Sequence, residues 1–156
     1  MQASRRYMQL PSNDLAVSIR DAMPADAERI VALALQLGYE TPLAHVEAVI
    51  HASGKNRAIL VAVVPRAGVV GWMSVAREDT LIASRRAEIA GLIVEDEFRG
   101  HRIGEMLVEA AEEWARKQGC ATLRLLSNVV RERAHTFYAR LGYEALKTQY
   151  VFQKNL

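Results

Sequence analysis

Two glycines and two arginines in one short turn form a candidate site for an anionic ligand. The stretch Leu92 to Met106 passes from an apolar run, through a polar turn that contains Arg99, Gly100, Arg102 and Gly104, into an amphipathic run. A turn from a strand into a helix aims the unpaired N–H groups of the helix N-terminus at one point, and glycine lets a ligand approach the backbone. The two guanidinium groups add charge-assisted contacts. The turn therefore suits a phosphate group.

The glycine spacing alone does not define a nucleotide motif, because neither G-x-x-x-x-G-K-S/T nor G-x-G-x-x-G is present. Gly100 and Gly104 also suit a tight turn with close helix packing, which is the commoner role of such an isolated pair. A second pattern some 30 residues further on adds specificity. It reads N-x5-A-x2-F-Y-x3-G-Y and is formed by Asn128, Ala134, Phe137, Tyr138, Gly142 and Tyr143.

The run RGHRIG after AEIAGLIV, together with this second pattern, resembles the GNAT superfamily of acetyl-CoA-dependent N-acetyltransferases. The family's turn reads Gln or Arg, two residues, Gly or Ala, one residue, Gly or Ala. Arg99 and Gly104 match its ends, and Arg102 replaces the middle small residue. The resemblance covers the chain from about Val17 to Phe152, and two motifs in the correct order are more specific than either one alone.

The resemblance implies which residues hold the co-substrate acetyl-CoA. The backbone of one strand pairs with the pantetheine arm like an added strand, at Leu92, Ile93 and Val94. The turn holds the pyrophosphate, through Arg99, Gly100, His101, Arg102, Ile103 and Gly104. The second pattern contacts the pantetheine through Asn128 and lines the channel with Ala134 and Phe137. Asn128 also suits a cap for the last helix.

Acetyl transfer to an amine needs a base, a polarised carbonyl and a proton donor for the leaving sulfur. By the resemblance Tyr138 lies beside the thioester sulfur and is the general acid; outside this pattern such a tyrosine is more often a core aromatic. Glu88, four residues before Leu92, is the candidate base, because a carboxylate beside an apolar channel takes up a proton more readily. The alternatives are an ion pair of Glu88 with Arg85, Arg86 or a neighbouring strand, and a water chain as the base.

Acceptor selectivity is expected where loops vary, at the junction of the first two helices and in the loop Arg77 to Arg86. Tyr39 and Glu40 at that junction suit a cationic amine, although Glu40 also suits an exposed charge at the start of a helix. Trp72 is expected in the core. Cys120 is expected to be a small core residue and no nucleophile. The histidines show no metal-ligand spacing, so no metal is expected.

Composition excludes several classes of function. The 156 residues are 51% hydrophobic and 24% charged, which favours one compact domain. A net charge of +2 argues against nucleic acid as a partner. The longest apolar run, Ala58 to Pro65, is far shorter than the ~20 residues of a membrane span. A single cysteine suits the reducing cytoplasm, and Arg5 and Arg6 precede no apolar stretch that would form a signal peptide.

Hydrophobic periodicity predicts an α/β domain over residues 15–156 behind a flexible tail, residues 1–14. The predicted order is β, α, α, β, β, β, α, β, α, β, β, with these elements: Leu15 to Arg20, Ala25 to Leu37, Thr41 to Gly54, Arg57 to Val64, Val69 to Ala76, Ala87 to Val94, Ile103 to Ala115, Thr122 to Leu126, Arg131 to Leu141, Tyr143 to Leu146 and Gln149 to Gln153. The resemblance implies a mixed, mostly antiparallel twisted sheet of about seven strands. This sheet splays at its fourth strand and is flanked by about four helices.

The resemblance thus implies an N-acetyltransferase that moves the acetyl group of acetyl-CoA to a primary amine of a small molecule or peptide. Direct attack in a ternary complex is expected, and family habit suggests a homodimer. Two alternatives remain open: an aminoglycoside-type antibiotic acetyltransferase, and a regulatory module that binds acyl-CoA without turnover.

Overall fold

The computed structural model describes residues 6–7 and 15–156, which fall into two compact units, residues 1–125 and 126–156. The strands are β1 (Arg6–Tyr7), β2 (Ser18–Asp21), β3 (Arg57–Val64), β4 (Gly68–Glu78), β5 (Arg86–Val94) and β6 (Thr122–Leu125). The helices are α1 (Ala27–Gln36), α2 (Leu43–His51), α3 (Ile103–Lys117) and α4 (Glu132–Arg140), with 3-10 turns at Pro24–Asp26 and Asp96–Phe98. The predicted tail lies outside the described residues, except for the two residues of β1.

The strands form one mixed sheet in the order β1-β2-β3-β4-β5-β6. All neighbours are antiparallel except β5 and β6, which are parallel. The prediction of about seven strands is wrong for the described residues, because Tyr143 to Leu146 and Gln149 to Gln153 form no strand. Their alternating apolar side chains are exposed, including Leu146 at 85% and Phe152 at 92%. Alternating apolar and polar residues favour a β-strand, but a strand forms only where a neighbouring strand pairs with the segment.

Helices cover both faces of the sheet. On one face Val61, Trp72 and Ile93 pack into a core with α1 and α2. On the other face lies α3, where a Cβ atom at Gly71 would be 3.5 Å from Leu107 Cδ1. The amphipathic stripe of α3 is buried as its periodicity predicts. None of the helices in the described residues is both long and apolar enough to cross a membrane.

The sheet opens between β5 and β6, and we call the segment of β5 beyond this point, Gly91 to Val94, the fork. The register between β4 and β5 shifts from Ser74–Gly91 to Val75–Ile89, so Ala90 is an extra residue, a β-bulge. The parallel pairs of β5 with β6 run from Arg86–Thr122 only as far as Ile89–Leu125. Among the described residues, β5 therefore pairs only with β4 from Gly91 to Val94, and no described strand pairs with its other edge there.

Two ion pairs fix α1 and the turn before it to the sheet. Arg20 of β2 donates two hydrogen bonds to Asp26, at 2.6 and 2.9 Å. Arg29 of α1 donates from Nε to the carbonyl of Val69, at 2.9 Å, and from Nη2 to the carboxylate of Glu95. Because Glu95 directly follows β5, the second ion pair connects α1 to the end of the fork.

Candidate functional site

The turn after β5 leaves the N-terminus of α3 open. Gly100 has φ +81°, and Arg102, the residue before α3, has φ +61°, which is rare for a side chain other than glycine. No side chain of residues 6–7 and 15–156 caps the helix. The N–H groups of Ile103 and Gly104 in the first turn have no intrahelical acceptor, and the positive end of the helix dipole lies with them. The strained backbone and open amides fit an anion site.

The charged side chains of this turn are held in exposed ion pairs. Arg99 pairs with Asp96 at 2.7 Å, and Arg102 donates to both oxygens of Glu105 at 2.7 and 2.8 Å. The hydrogen bonds that Arg102 donates to Glu105 raise the pKa of its guanidinium. Solvent screens exposed ion pairs and makes them weak, so a phosphate group can displace the carboxylate from either arginine. The Nδ1 atom of His101 folds back onto the turn, 3.1 Å from the Arg99 carbonyl.

The fork residues have apolar side chains or none, so the groups that they offer to a ligand are their main-chain N–H and C=O groups. Ile93 is buried in the core with α1 and α2, and Leu92 and Val94 are half-buried. Beyond Ile89, no strand in the part of the chain that the structure describes pairs with their backbone on the β6 side. An extended ligand with amide groups fits such an edge by adding to the sheet.

Glu88 forms an ion pair with the neighbouring strand. Its Oε2 atom accepts a hydrogen bond from Arg124 Nε of β6 at 2.6 Å. Of the alternatives from the sequence, the ion pair with a neighbouring strand is present, and its partner is Arg124 rather than Arg85 or Arg86. Arg85 pairs instead with Asp79, and Arg86 with Glu78. Arg124 is not among the predicted site residues; the available signal is a lone charge in an otherwise apolar predicted strand.

Trp72 and Gly91 meet beside the bulge. Trp72 packs against the core of α1 and α2, as expected, and a Cβ atom on Gly91 would lie 3.1 Å from two of its ring carbons. The indole Nε1 atom is buried and has no hydrogen-bond partner in the described part of the chain. Gly91 is not among the predicted site residues, although a glycine inside a predicted strand is itself a signal of a bulge or a close approach.

The second unit contains the candidate acid. Tyr138 is half-buried on α4, and its ring contacts those of Phe137 and Tyr143 edge-on, with centroids 5.0 and 5.8 Å apart. Burial raises the pKa of the Tyr138 phenol above its ordinary value of 10.0, and the charge of Arg131 offsets this only in part. The phenol therefore keeps its proton at neutral pH, as a proton donor requires.

Asn128 closes the turn before α4. Its Oδ1 atom accepts a hydrogen bond from the N–H of Val130 at 3.1 Å, and its carbonyl accepts one from the N–H of Arg131 at 3.0 Å. The residue before α4 is Arg131, so Asn128 supports the turn without occupying the cap position. Ala134, also of the second pattern, is half-buried on α4. Next to Asn128, the Ser127 hydroxyl is buried and has no partner among the described side chains and main chain.

The remaining candidates lie apart from the fork in sequence or lack reactivity. Tyr39 and Glu40 are exposed between α1 and α2, Tyr39 at 63%. Cys120 is half-buried, and burial raises the pKa of its thiol, which disfavours the thiolate. Within residues 6–7 and 15–156, no group of three or more His, Cys, Asp and Glu residues has metal-site geometry.

Comparison with known proteins agrees with this geometry. The aminoalkylphosphonate N-acetyltransferase of Salmonella typhimurium is 41% identical over 69 residues, which are 44% of this chain and 44% of that protein. The chain spans less than half the length of the curated relatives it matches. A transcriptional regulator from Bacillus halodurans superposes with a TM-score of 0.78 at 31% identity, over 88% of this chain and 99% of that one.

The fold is shared with more distant structures too. AAC(6')-Iy, solved in complex with the bisubstrate analog CoA-S-monomethyl-acetylneamine, superposes with a TM-score of 0.77 at 20% identity. The alignment covers 90% of this chain and 99% of that chain. The model of the Acetyltransferase (GNAT) family matches residues 27–143, which include the fork, the turn before α3 and the tyrosine pattern of α4. This chain therefore belongs to the GNAT family of acetyltransferases.

Proposed function

We propose that the protein transfers the acetyl group of acetyl-CoA to a primary amine of a small molecule or peptide, by direct attack in a ternary complex. The observation that carries this proposal is the continuous segment of fork, turn and uncapped helix. It offers free strand edge at Leu92 to Val94 and open amides at Ile103 and Gly104. The curated relatives are named N-acetyltransferases, which supports the same class of reaction.

Acetyl-CoA would use the two parts of this segment differently. The amide groups of pantetheine would pair with the free main chain of Leu92, Ile93 and Val94, and the pyrophosphate would accept hydrogen bonds from the turn at residues 99–104. Asn128, Ala134 and Phe137 complete the proposed contacts with the pantetheine. Bound acetyl-CoA supplies a thioester, whose carbonyl carbon is the electrophile.

The reaction then needs three proton movements. The acceptor ammonium loses a first proton, and its nitrogen forms a bond to the thioester carbonyl carbon. The C–S bond then breaks with the electron pair on sulfur, and the nitrogen loses its second proton to solvent. We assign Tyr138 to protonate that sulfur, because its raised pKa keeps the phenol protonated until the thiolate leaves. The phenolate regains its proton from solvent, and the products are an N-acetyl amine and CoA.

Glu88 is our candidate for the first proton movement, directly or through a water molecule. Its Oε2 atom is engaged by Arg124, while Oε1 accepts no hydrogen bond from the residues that the structure describes. The proton therefore goes to Oε1, or to Oε2 once Arg124 has moved. Tyr39 and Glu40, exposed after α1, are proposed contacts for the rest of the acceptor.

A thiol-release assay tests the proposal. Purified protein with acetyl-CoA is offered 2-aminoethylphosphonate, kanamycin, spermidine, an amino acid and a peptide, and calorimetry measures CoA binding separately. We expect CoA to bind and at least one amine to release thiol at a rate proportional to enzyme. The aminophosphonate follows from the named substrate of the Salmonella relative, and kanamycin tests the antibiotic alternative.

A second candidate function is a regulatory module that binds acyl-CoA without turnover. The Bacillus halodurans protein that is 31% identical to this chain is named a transcriptional regulator, which favours keeping this candidate. CoA binding without thiol release across the whole panel would select this alternative. No binding of CoA would overturn both candidates. We also expect a cytoplasmic homodimer, and light scattering of the purified chain tests the dimer.

A further inference from the structure

Four charged side chains on three adjacent strands form a single hydrogen-bonded cluster. Arg86 donates from Nε to Glu78 Oε2 at 2.8 Å, and Arg124 donates from Nε to Glu88 Oε2 at 2.6 Å. A longer contact, 3.4 Å from Arg124 Nη2 to the same Glu78 oxygen, joins the two pairs. We call Glu78, Arg86, Glu88 and Arg124 the charge cluster.

The charge cluster lies on the face of the sheet that carries α1 and α2. Glu78 and Ala76 alternate along β4 with Trp72, which packs into the core of those helices. Ala76 is the register partner of Glu88, and Glu78 that of Arg86, so all of these side chains leave the sheet on one side.

The charge cluster also borders the fork. Glu88 and Arg124 are themselves register partners, one position before the last β5–β6 pair. A group bound at this pair lies next to the bulge at Ala90, where the free edge of β5 begins.

The charge cluster is accessible and balanced in charge. Its side chains are 20 to 37% exposed, so solvent and small ligands reach them. Two carboxylates and two guanidiniums have no net charge together, and a ligand that carries only an ammonium would take Glu88 from Arg124 and leave that guanidinium without its closest partner. A zwitterion adds one ammonium for a carboxylate and one oxyanion for a guanidinium, so every charge keeps a partner.

Within the charge cluster, the place for the oxyanion is Arg124. Its bond to Glu78 is the longest of the three and the easiest to exchange, and Glu78 keeps Arg86 when that bond is lost. A planar guanidinium binds phosphonate, phosphate and carboxylate groups through two parallel hydrogen bonds. The ammonium of the same ligand then lies at Glu88, on the side of the fork.

We propose that the acceptor is a small amine that also carries an oxyanion, with Arg124 binding the oxyanion and Glu88 the amine. This inference rests on the proposed acetyltransferase function and names its substrate class. Arg124 becomes the specificity-determining residue, and oxyanion binding draws it from Glu88, which must receive the amine.

Matched amines of equal chain length test the inference in the thiol-release assay: 2-aminoethylphosphonate, β-alanine and ethanolamine. We expect the two amines with an oxyanion to exceed ethanolamine in kcat/KM by about tenfold or more, the effect of one charge-assisted contact. The ranking of phosphonate against carboxylate identifies the oxyanion. Equal kcat/KM for all three would overturn the inference while leaving the acetyltransferase function intact. If amines of every class fail, the proposed function fails instead.

Two variants locate the effect. Arg124→Gln is expected to reduce the ratio of kcat/KM for the oxyanion amines to kcat/KM for ethanolamine by about tenfold. Arg116→Gln, which removes an exposed arginine of α3 that pairs with Glu112, is the control and should keep the preference. If Arg124→Gln does not fold, Arg124→Lys is the second variant. It keeps the positive charge but loses the bidentate contact, so it is expected to lower the preference for oxyanion amines. A preference that survives both Arg124 variants would overturn the assignment.

Discussion

The indole of Trp72 lies against the backbone of Gly91, so closely that a Cβ atom at position 91 would be 3.1 Å from both Cζ3 and Cη2 of the ring. The two residues belong to adjacent strands, and Gly91 follows the bulge residue Ala90. Because position 91 has no side chain, the indole of Trp72, the aromatic residue of β4, can pack directly on the backbone beside the fork.

Gly91→Ala is therefore expected to destabilise the protein by about 1–3 kcal/mol, because the partly buried indole must move or the strand must shift. The free energy of unfolding in urea measures the loss. In a Trp72→Phe background the outer ring carbons are gone, so the same substitution should cost less, with a coupling energy of at least about 0.5 kcal/mol. Additive effects would show that the close contact has no energetic consequence.

Gly71→Ala is the comparison for this pair. A Cβ atom there would lie 2.9 Å from the carbonyl oxygen of Ile93, and main chain yields less readily than a ring. We expect a larger loss of stability than for Gly91→Ala, without rescue by Trp72→Phe. Rescue of both substitutions by Trp72→Phe would contradict the separate roles of the two sheet faces.

The sequence predicts well the elements that depend on residues close together in the chain. The start of α3 at Ile103 follows from a three- and four-residue repeat of apolar side chains, and the turn before it from glycine and arginine types. The Glu88–Arg124 pair connects residues 36 positions apart, and no local pattern reports which strand lies beside which. The closing strands fail for the same reason, since alternation at Tyr150 and Phe152 specifies no partner.

Gly104→Glu is expected to weaken CoA binding at least tenfold, because a carboxylate in the first turn of α3 competes with the pyrophosphate for the open amides. Calorimetry with CoA measures the dissociation constant. Gly104→Ala is the matched control: it adds a small side chain and no charge, and the main-chain N–H remains, so binding should stay within about threefold. Equal affinity of the glutamate variant and the wild type would exclude this turn as the pyrophosphate site.

Tyr138→Phe is expected to lower kcat for thiol release by about 100-fold or more, because the leaving thiolate loses its proton donor. Burial raises the pKa of Tyr138 above 10.0, and the phenol acts in its protonated form, so its deprotonation should not reduce the rate below about pH 10. Tyr150→Phe, at a tyrosine that is 89% exposed, is the control and should leave kcat unchanged. An unchanged kcat in Tyr138→Phe, with CoA still bound, would remove Tyr138 as the acid.

The ion pair that connects β2 to the turn before α1 should make stability depend on acid pH. Burial alone would raise the pKa of Asp26, but hydrogen bonds from Arg20 and from the N–H of Met23, together with the Arg20 charge, outweigh it and hold that pKa below 3.8. The unfolded chain therefore takes up this proton at a higher pH than the folded chain. The stabilisation is fully present well above pH 3.8 and is lost as the pH falls through the folded-state value.

Asp26→Asn should accordingly reduce the free energy of unfolding at pH 7 by about 2–3 kcal/mol, since it leaves the partly buried Arg20 without its charged partner. The difference between variant and wild type should shrink as the pH falls below 3.8, because protonation neutralises the wild-type carboxyl as well. Asp79→Asn is the control: its carboxylate also has a lowered pKa, chiefly from the hydrogen bond of Arg85, but lies exposed on a loop. Urea unfolding from pH 3 to pH 7 measures all three proteins, and a loss in Asp26→Asn that does not change with pH would contradict the electrostatic role of the pair.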